Sequence, residues 1–419
     1  MASQFNKVPA SSTLQLTPFQ SKIPDSQVEE LKTLVKFGKL APRTYESSHD
    51  NRLWGITSDW IAAAKEQWLN EFDWRKHEDH INSFPQFKTP IKDDDGKSYD
   101  IHFAALFSKK ADAVPIFFFH GWPGSFLEFL PMMAEAAKKY TPDTLPFHII
   151  APSLIGYTFS ASPPLDKDWK DEDTARLMDK LAKGLGFGSG YIAQGGDIGS
   201  RISRVLAIHH DSCKAVHLNF CLIPPPGGTD KYAVNEIEEK TLKKVSAFRS
   251  RGLAYAIEHG TRTSTIGHVL ASNPIALLAW IGEKFLEWSD EDPSIDTILE
   301  SITLWWFTET FPRAIYSYRE RFENCETLTA TEPPKLAKPN SGPGDAANPD
   351  NFIKIPFGYS WCPEDMGSVP RSWIETTGDV VFFKQHDKGG HFAAMEVPEL
   401  ILGDIEEFVK QVWPTASKL

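Results

Sequence analysis

The sequence predicts an α/β fold: a mostly parallel central sheet with an inserted helical lid, preceded by a helical N-terminal segment. Three observations carry that expectation. First, strand-like apolar runs at 114–119, 147–151, 190–194 and 215–220 alternate with helical stretches, the pattern of a parallel sheet covered on both faces. Second, Pro224-Pro225-Pro226-Gly227-Gly228 breaks the chain, and a purely helical signal follows at 238–256, 275–288 and 295–306. Third, Gly195-Gly196-Asp197-Ile198-Gly199 lies between a short buried strand and a helix over 200–208, whose apolar stripe is Ile202, Val205 and Leu206; its glycines permit tight turning and close packing.

Taken in chain order, residues 1–100 form an N-terminal module. A helix is expected over 26–37, with Ser26 as its cap and Val28, Leu31, Leu34 and Val35 as its apolar stripe. A second is expected over 54–72, with Trp60, Ile61, Ala64, Trp68 and Leu69 on its buried face. Asp93-Asp94-Asp95-Gly96 reads as a hairpin turn between 89–91 and 99–103. It is not a calcium loop, because the alternating ligands and the closing Glu are missing. Residues 101–225 give the first part of the core, 226–345 the lid and its connecting loop, and 346–419 the second part of the core. That last part holds a strand at 380–383 and a closing helix at 401–412.

Composition narrows the partners. Lys and Arg number 44 against 56 Asp and Glu, giving 44 − 56 = −12, which argues against nucleic acid or an anionic membrane as the main partner. The four cysteines show no C-x-x-C spacing and read as packed, reduced thiols. No apolar stretch approaches the roughly 20 residues of a membrane span, and the N-terminus lacks a secretory core. The final Ser417-Lys418-Leu419 matches a receptor-read peroxisomal address. The expected location is therefore the peroxisome, with an import receptor as partner, and otherwise the cytoplasm.

The chemistry centres on Asp197. A G-x-S-x-G elbow pushes its central side chain over the sheet edge, and here an aspartate stands where many hydrolases carry serine. A carboxylate of reference pKa about 3.9 needs no deprotonation to attack; it can displace a leaving group at saturated carbon and become an ester. Upstream, the strand 114–119 runs into His120-Gly121-Trp122-Pro123-Gly124-Ser125. Backbone N–H groups of Trp122 and Ile198 are the expected oxyanion hole. Downstream, Glu364 and Asp365 end a strand, and Gly389-Gly390-His391-Phe392 follows. Nucleophile, acid, histidine is the chain order of the α/β-hydrolase fold. His391 is the expected water-activating base, with His386 the nearby alternative.

These motifs, with Phe72-Asp73-Trp74-Arg75-Lys76, Phe84-Pro85-Gln86-Phe87 and Pro152-Ser153-Leu154-Ile155-Gly156-Tyr157, give the chain a close resemblance to the microsomal-type epoxide hydrolases, in particular their soluble fungal branch. The resemblance runs from about residue 20 to the C-terminal region. It implies an N-terminal segment that wraps the core, and a cofactor-independent, metal-free enzyme that converts hydrophobic epoxides to vicinal diols. It favours His391 over His386 as base and Asp365 over Glu364 as its orienting acid. It also implies that Tyr255 and Tyr318 of the lid meet the epoxide oxygen, with Tyr316 as the decoy. The partners implied are a small epoxide and water, with room for a homodimer.

Other signals are discounted. His77-Glu78-Asp79-His80 is not H-E-x-x-H, and no glycine loop has the pattern of a P-loop or dinucleotide site. Trp305-Trp306-Phe307 reads first as lid packing, with a share in the pocket wall as the alternative. A haloalkane dehalogenase would also use an Asp nucleophile but needs halide donors in place of a tyrosine pair. A non-catalytic binding protein of the same fold would have no use for an ordered Asp–His–Asp set.

Overall fold

The computed structural model describes residues 2–49, 51–227, 232–321 and 344–416. Ser417-Lys418-Leu419, Cys325 and most of the loop at 331–349 lie outside the described residues.

The chain adopts the α/β-hydrolase fold. Its strands are β1 (Thr17–Phe19), β2 (Gln86–Lys92), β3 (Ser98–Leu106), β4 (Val114–Phe119), β5 (Phe147–Pro152), β6 (Tyr191–Gly195), β7 (Cys213–Leu218), β8 (Ile353–Trp361) and β9 (Gly378–Gln385). Among the described residues they form one sheet in the order β1-β2-β3-β5-β4-β6-β7-β8-β9. Pairing is antiparallel from β1 to β5 through β2 and β3 and parallel from β5 through β4 to β9. The run Val114–Phe119 is buried at every position, as a central parallel strand with both faces covered requires. The expected hairpin joins β2 to β3, with Gly96 at φ 84° in its turn.

Several boundaries differ from the sequence expectation. The first helix is Asp25–Phe37, entered through Pro24 with no side-chain cap; Ser26, expected as the cap, sits inside the first turn instead. The second, Ser58–Asn70, is shorter than expected and is capped by Thr57. Asp73 caps a third helix, Trp74–Asn82, through the N–H of Arg75. The lid helix expected over 238–256 is broken: Glu236–Ala247 ends in a π-turn at Phe248–Gly252, and Ala254–Thr261 resumes beyond it. Helices Thr263–Ala271, Pro274–Trp288 and Ile295–Phe307 complete the lid.

The N-terminal segment is tied to both layers. Buried Glu78 accepts the backbone N–H of Ile23 at 2.7 Å and the Ser21 hydroxyl at 3.1 Å, closing residues 21–23 onto the helix Trp74–Asn82. Trp68 donates its indole N–H to Thr303 of the lid at 3.1 Å, and His77 bridges to Glu300 at 3.1 Å. The His77–His80 cluster is therefore bracing. Trp305 is likewise packing, edge-on to Tyr157. Among the described residues no group of three or more metal-binding side chains occurs, and no single helix is long and apolar enough to cross a membrane.

The elbow between β6 and the helix Asp197–His209 is the tightest approach in the core. A Cβ on Gly199 would lie 1.9 Å from the carbonyl oxygen of Phe119 at the end of β4. That clash is backbone against side chain root, so no rotamer relieves it. Gly199→Ala is expected to cost at least the ~1–3 kcal/mol of an overpacked core, read as a lower urea midpoint at unchanged m-value. Gly403→Ala, inside the helix Pro398–Ala416 and with nothing within 4 Å of its Cβ, is the control and should raise the midpoint slightly, since Ala favours a helix interior over Gly by about 0.5–1 kcal/mol.

Candidate active site

Asp197 stands at the first residue of its helix with φ 44°. A non-glycine residue in that region costs about 1–3 kcal/mol and persists only where the surroundings fix it. They do so here. The backbone N–H of Trp122 donates to Asp197 Oδ1 at 2.8 Å. Gly121 makes the approach possible, since a Cβ there would lie 2.2 Å from the same oxygen. The N–H of Ile198, in the first helical turn, belongs to the donors that have no intrahelical acceptor.

His391 Nε2 lies 3.7 Å from Asp197 Oδ2, and its Nδ1 is 3.1 Å from Asp365 Oδ1. Asp365 is fully buried and also accepts the N–H of Gly367 at 3.0 Å. Glu364 turns away and pairs with Lys244 on the lid. His386 pairs with Asp404 at 2.6 Å, outside this cluster. The structure thus brings together Asp197, His391 and Asp365 and separates them from both neighbouring alternatives.

The loop that carries His391 is held by a residue that sequence reasoning missed. Glu396 accepts the N–H groups of Asp290 at 2.7 Å, Phe392 at 2.8 Å and Gly390 at 3.1 Å. Burial raises its pKa to about 7 against the lowering effect of these donors. The His391 N–H itself donates to the carbonyl of Trp288 at 2.9 Å. A Glu a few residues after a short helix start could have been read as a reach-back cap.

The two lid tyrosines converge on the same point. Tyr255 stacks on Trp122 at 4.9 Å, and Tyr318 meets Trp122 edge-on at 6.0 Å and Tyr255 at 5.8 Å. Tyr255, Tyr318, Asp197 and Ile198 line one cavity, with Phe220, Leu222, Phe248, Leu253 and Met366 as its apolar wall. Burial, followed by the proximity of Tyr255 and Asp197, drives the Tyr318 pKa well above the ordinary phenol value, so its proton stays on oxygen and available to a hydrogen bond. Tyr316 is elsewhere, bonded to Thr174 at 2.9 Å.

Electrostatically the cluster is organised around one cation. Burial alone would discharge His391, but the carboxylate of Asp365, and then those of Asp197 and Glu128, outweigh it and raise its pKa to about 9.

Comparison with known proteins places this geometry. Residues 16–129 match the family description "Epoxide hydrolase N terminus", and residues 114–250 match "alpha/beta hydrolase fold". The Dothistroma septosporum protein named "Putative epoxide hydrolase" is 42% identical over 409 residues, covering 97% of this chain and 92% of its own length. Epoxide hydrolase 1 of Sus scrofa is 28% identical over 436 residues, covering 96% and 90%. The structure of the Aspergillus niger epoxide hydrolase superposes with a TM-score of 0.88 at 50% identity, covering 98% of this chain and 100% of that one.

The electrostatic argument is testable without substrate. Asp365→Asn removes the strongest of the effects that raise the His391 pKa. Titration by histidine NMR is expected to show it falling well below about 9, because burial is then opposed only by the weaker effects of Asp197 and Glu128. A value still near 9 would mean that Asp365 does not hold the charge.

Proposed function

Since the chain belongs to the epoxide hydrolase family and is an epoxide hydrolase, we propose that it opens hydrophobic epoxides through a covalent ester on Asp197. The observation that carries this reading is the division of labour between the two oxygens of one carboxylate. Oδ1 is engaged by the Trp122 N–H at 2.8 Å, and Oδ2 is left facing His391 Nε2 at 3.7 Å.

In the first half-reaction an electron pair of Oδ2 forms a bond to an epoxide carbon, and that carbon's bond to the ring oxygen breaks. Tyr255 and Tyr318 donate hydrogen bonds to the oxygen as it gains charge. The apolar wall of their cavity supports a hydrophobic substrate and excludes competing water. In the second half-reaction water adds to Asp197 Cγ, its proton passes to His391 Nε2, and the carbonyl oxygen, formerly Oδ1, carries the negative charge toward the N–H groups of Trp122 and Ile198. Collapse restores the carboxylate and releases the diol.

The pKa of His391 makes this sequence self-timing. With a value of about 9, the imidazole of the free enzyme is charged at neutral pH and cannot act as base. Alkylation removes the negative charge of Asp197, one of the effects raising that pKa. The His391 pKa then falls, its proton passes to the alkoxide left by ring opening, and the base becomes available when the ester needs hydrolysing. Import into peroxisomes through Ser417-Lys418-Leu419 belongs to the same proposal.

Styrene oxide serves as the test substrate. Asp197→Asn is expected to abolish diol formation, whereas His391→Gln should accumulate an enzyme adduct heavier by one substrate on intact-protein mass spectrometry. In oxygen-18 water, repeated turnover should place label in the Asp197 peptide; diol formation with an unlabelled enzyme would mean direct attack by water. Tyr255→Phe and Tyr318→Phe should each slow ester formation by about 10²-fold, the usual loss on removing one donor to a developing oxyanion, and should leave ester hydrolysis largely intact. Equal slowing of both steps would argue against a role confined to the epoxide oxygen.

A further inference from the structure

We propose that the water consumed in ester hydrolysis is held in a separate chamber behind Asp197, and that Glu128 positions it there. The inference rests on the two-step reading above and deepens it. Two cavities meet at the nucleophile, and among the described lining residues Asp197 alone belongs to both. The lid-side cavity holds the tyrosines and is walled mostly by apolar side chains, with Arg201 and Ser317 also on its lining. The core-side cavity is lined by Glu128, Gln194, Asn219 and His391. It offers about 20 Å³ to the centre of a water molecule, where roughly 10–15 Å³ suffices for one.

A held water needs two to four polar partners, and this chamber presents them. Glu128 and His391 both line it, which gives a water two of them. The carboxyl of Glu128 has no hydrogen bond or ion pair with another described residue, and what accessible surface it keeps lies in a residue that lines this cavity. Its placement is built in. Ser125 starts the 3-10 turn Phe126–Phe129 through the N–H of Leu127, and the Glu128 carboxyl folds back over Gly124. A Cβ on Gly124 would lie 2.2 Å from Glu128 Oε2.

The charge of the site agrees with a neutral Glu128. Burial raises its pKa to about 8, with His391 opposing the rise and Asp197 adding to it; both are thus within its electrostatic reach. At pH 7 the protonated carboxyl adds no third negative charge beside the single imidazole. It accepts one O–H of the water while the other O–H points to His391 Nε2. The water oxygen then adds to Cγ from the side opposite the lid, its proton goes to His391, and Glu128 keeps its own proton throughout.

Single-turnover kinetics with styrene oxide separates the half-reactions. Glu128→Leu is expected to form the ester at the wild-type rate and to hydrolyse it about 10²-fold more slowly, the usual effect of misplacing a reactant. The adduct should therefore become visible by intact mass. Glu128→Gln, which keeps a polar head of the same shape, should restore part of the hydrolysis rate. Gly124→Ala, which displaces the carboxyl without removing it, should reproduce the split. Wild-type hydrolysis in Glu128→Leu, or an equal fall in both steps, would overturn the inference. His391→Gln run in parallel tells the two levels apart. If it too accumulates no ester, the two-step reading falls; if it does and Glu128→Leu does not, only the water chamber falls.

Discussion

The constraint on which the site depends is the backbone of Asp197. At φ 44° the residue occupies a region that an isolated chain disfavours by about 1–3 kcal/mol. The turn is held because β6, the helix after it and the loop after β4 are packed within backbone contact. Phe119 O leaves no space for a Cβ on Gly199, and Asp197 Oδ1 leaves none on Gly121. That packing fixes which way the carboxylate points. Its two oxygens then fall into different surroundings, one on the Trp122 N–H and the other toward His391. A looser turn would let the two oxygens exchange surroundings.

Around that turn the electrostatics are those of one imidazole among acids. Asp365 orients His391 from one side, and Asp197 faces it from the other at 3.7 Å. The charge on Asp197 is thus one of the effects that set the proton affinity of His391. Glu396 keeps the loop from moving by accepting the N–H groups on both sides of the histidine, those of Gly390 and Phe392. Such a mount fixes the geometry of the imidazole whatever its charge.

Parts of this arrangement were legible in the sequence for a physical reason: close backbone approaches demand glycine. The elbow at 195–199, the loop at 120–125 and the Gly389-Gly390-His391 turn announce themselves that way. Asp365 did not. Beside Glu364 it was separable only through the family resemblance, and the fold distinguishes them by burying one and pairing the other with Lys244. The break in the lid at Phe248–Gly252 was hidden because apolar periodicity runs through a π-turn almost unchanged. Tyr255 lies in the helix that resumes beyond that break and stacks on Trp122. Glu128 and Glu396 look in sequence like ordinary helical acids; only the cavity and the loop around them reveal their surroundings.

The N-terminal segment completes the logic of the fold. The tyrosines belong to the lid, whereas the nucleophile belongs to the sheet, so their distance is only as well defined as the seating of one on the other. The segment supplies that seating. Trp68 is bonded to Thr303, His77 to Glu300 and Arg52 to Asp292, all on the lid, while β1 and β2 extend the same chain into the sheet. A segment that is hydrogen-bonded to the sheet at one end and clamped to the lid at the other transmits the position of Asp197 to Tyr255 and Tyr318. Arg52–Asp292 is exposed and contributes little. The buried Trp68–Thr303 contact and the half-buried His77–Glu300 pair are the ones that hold.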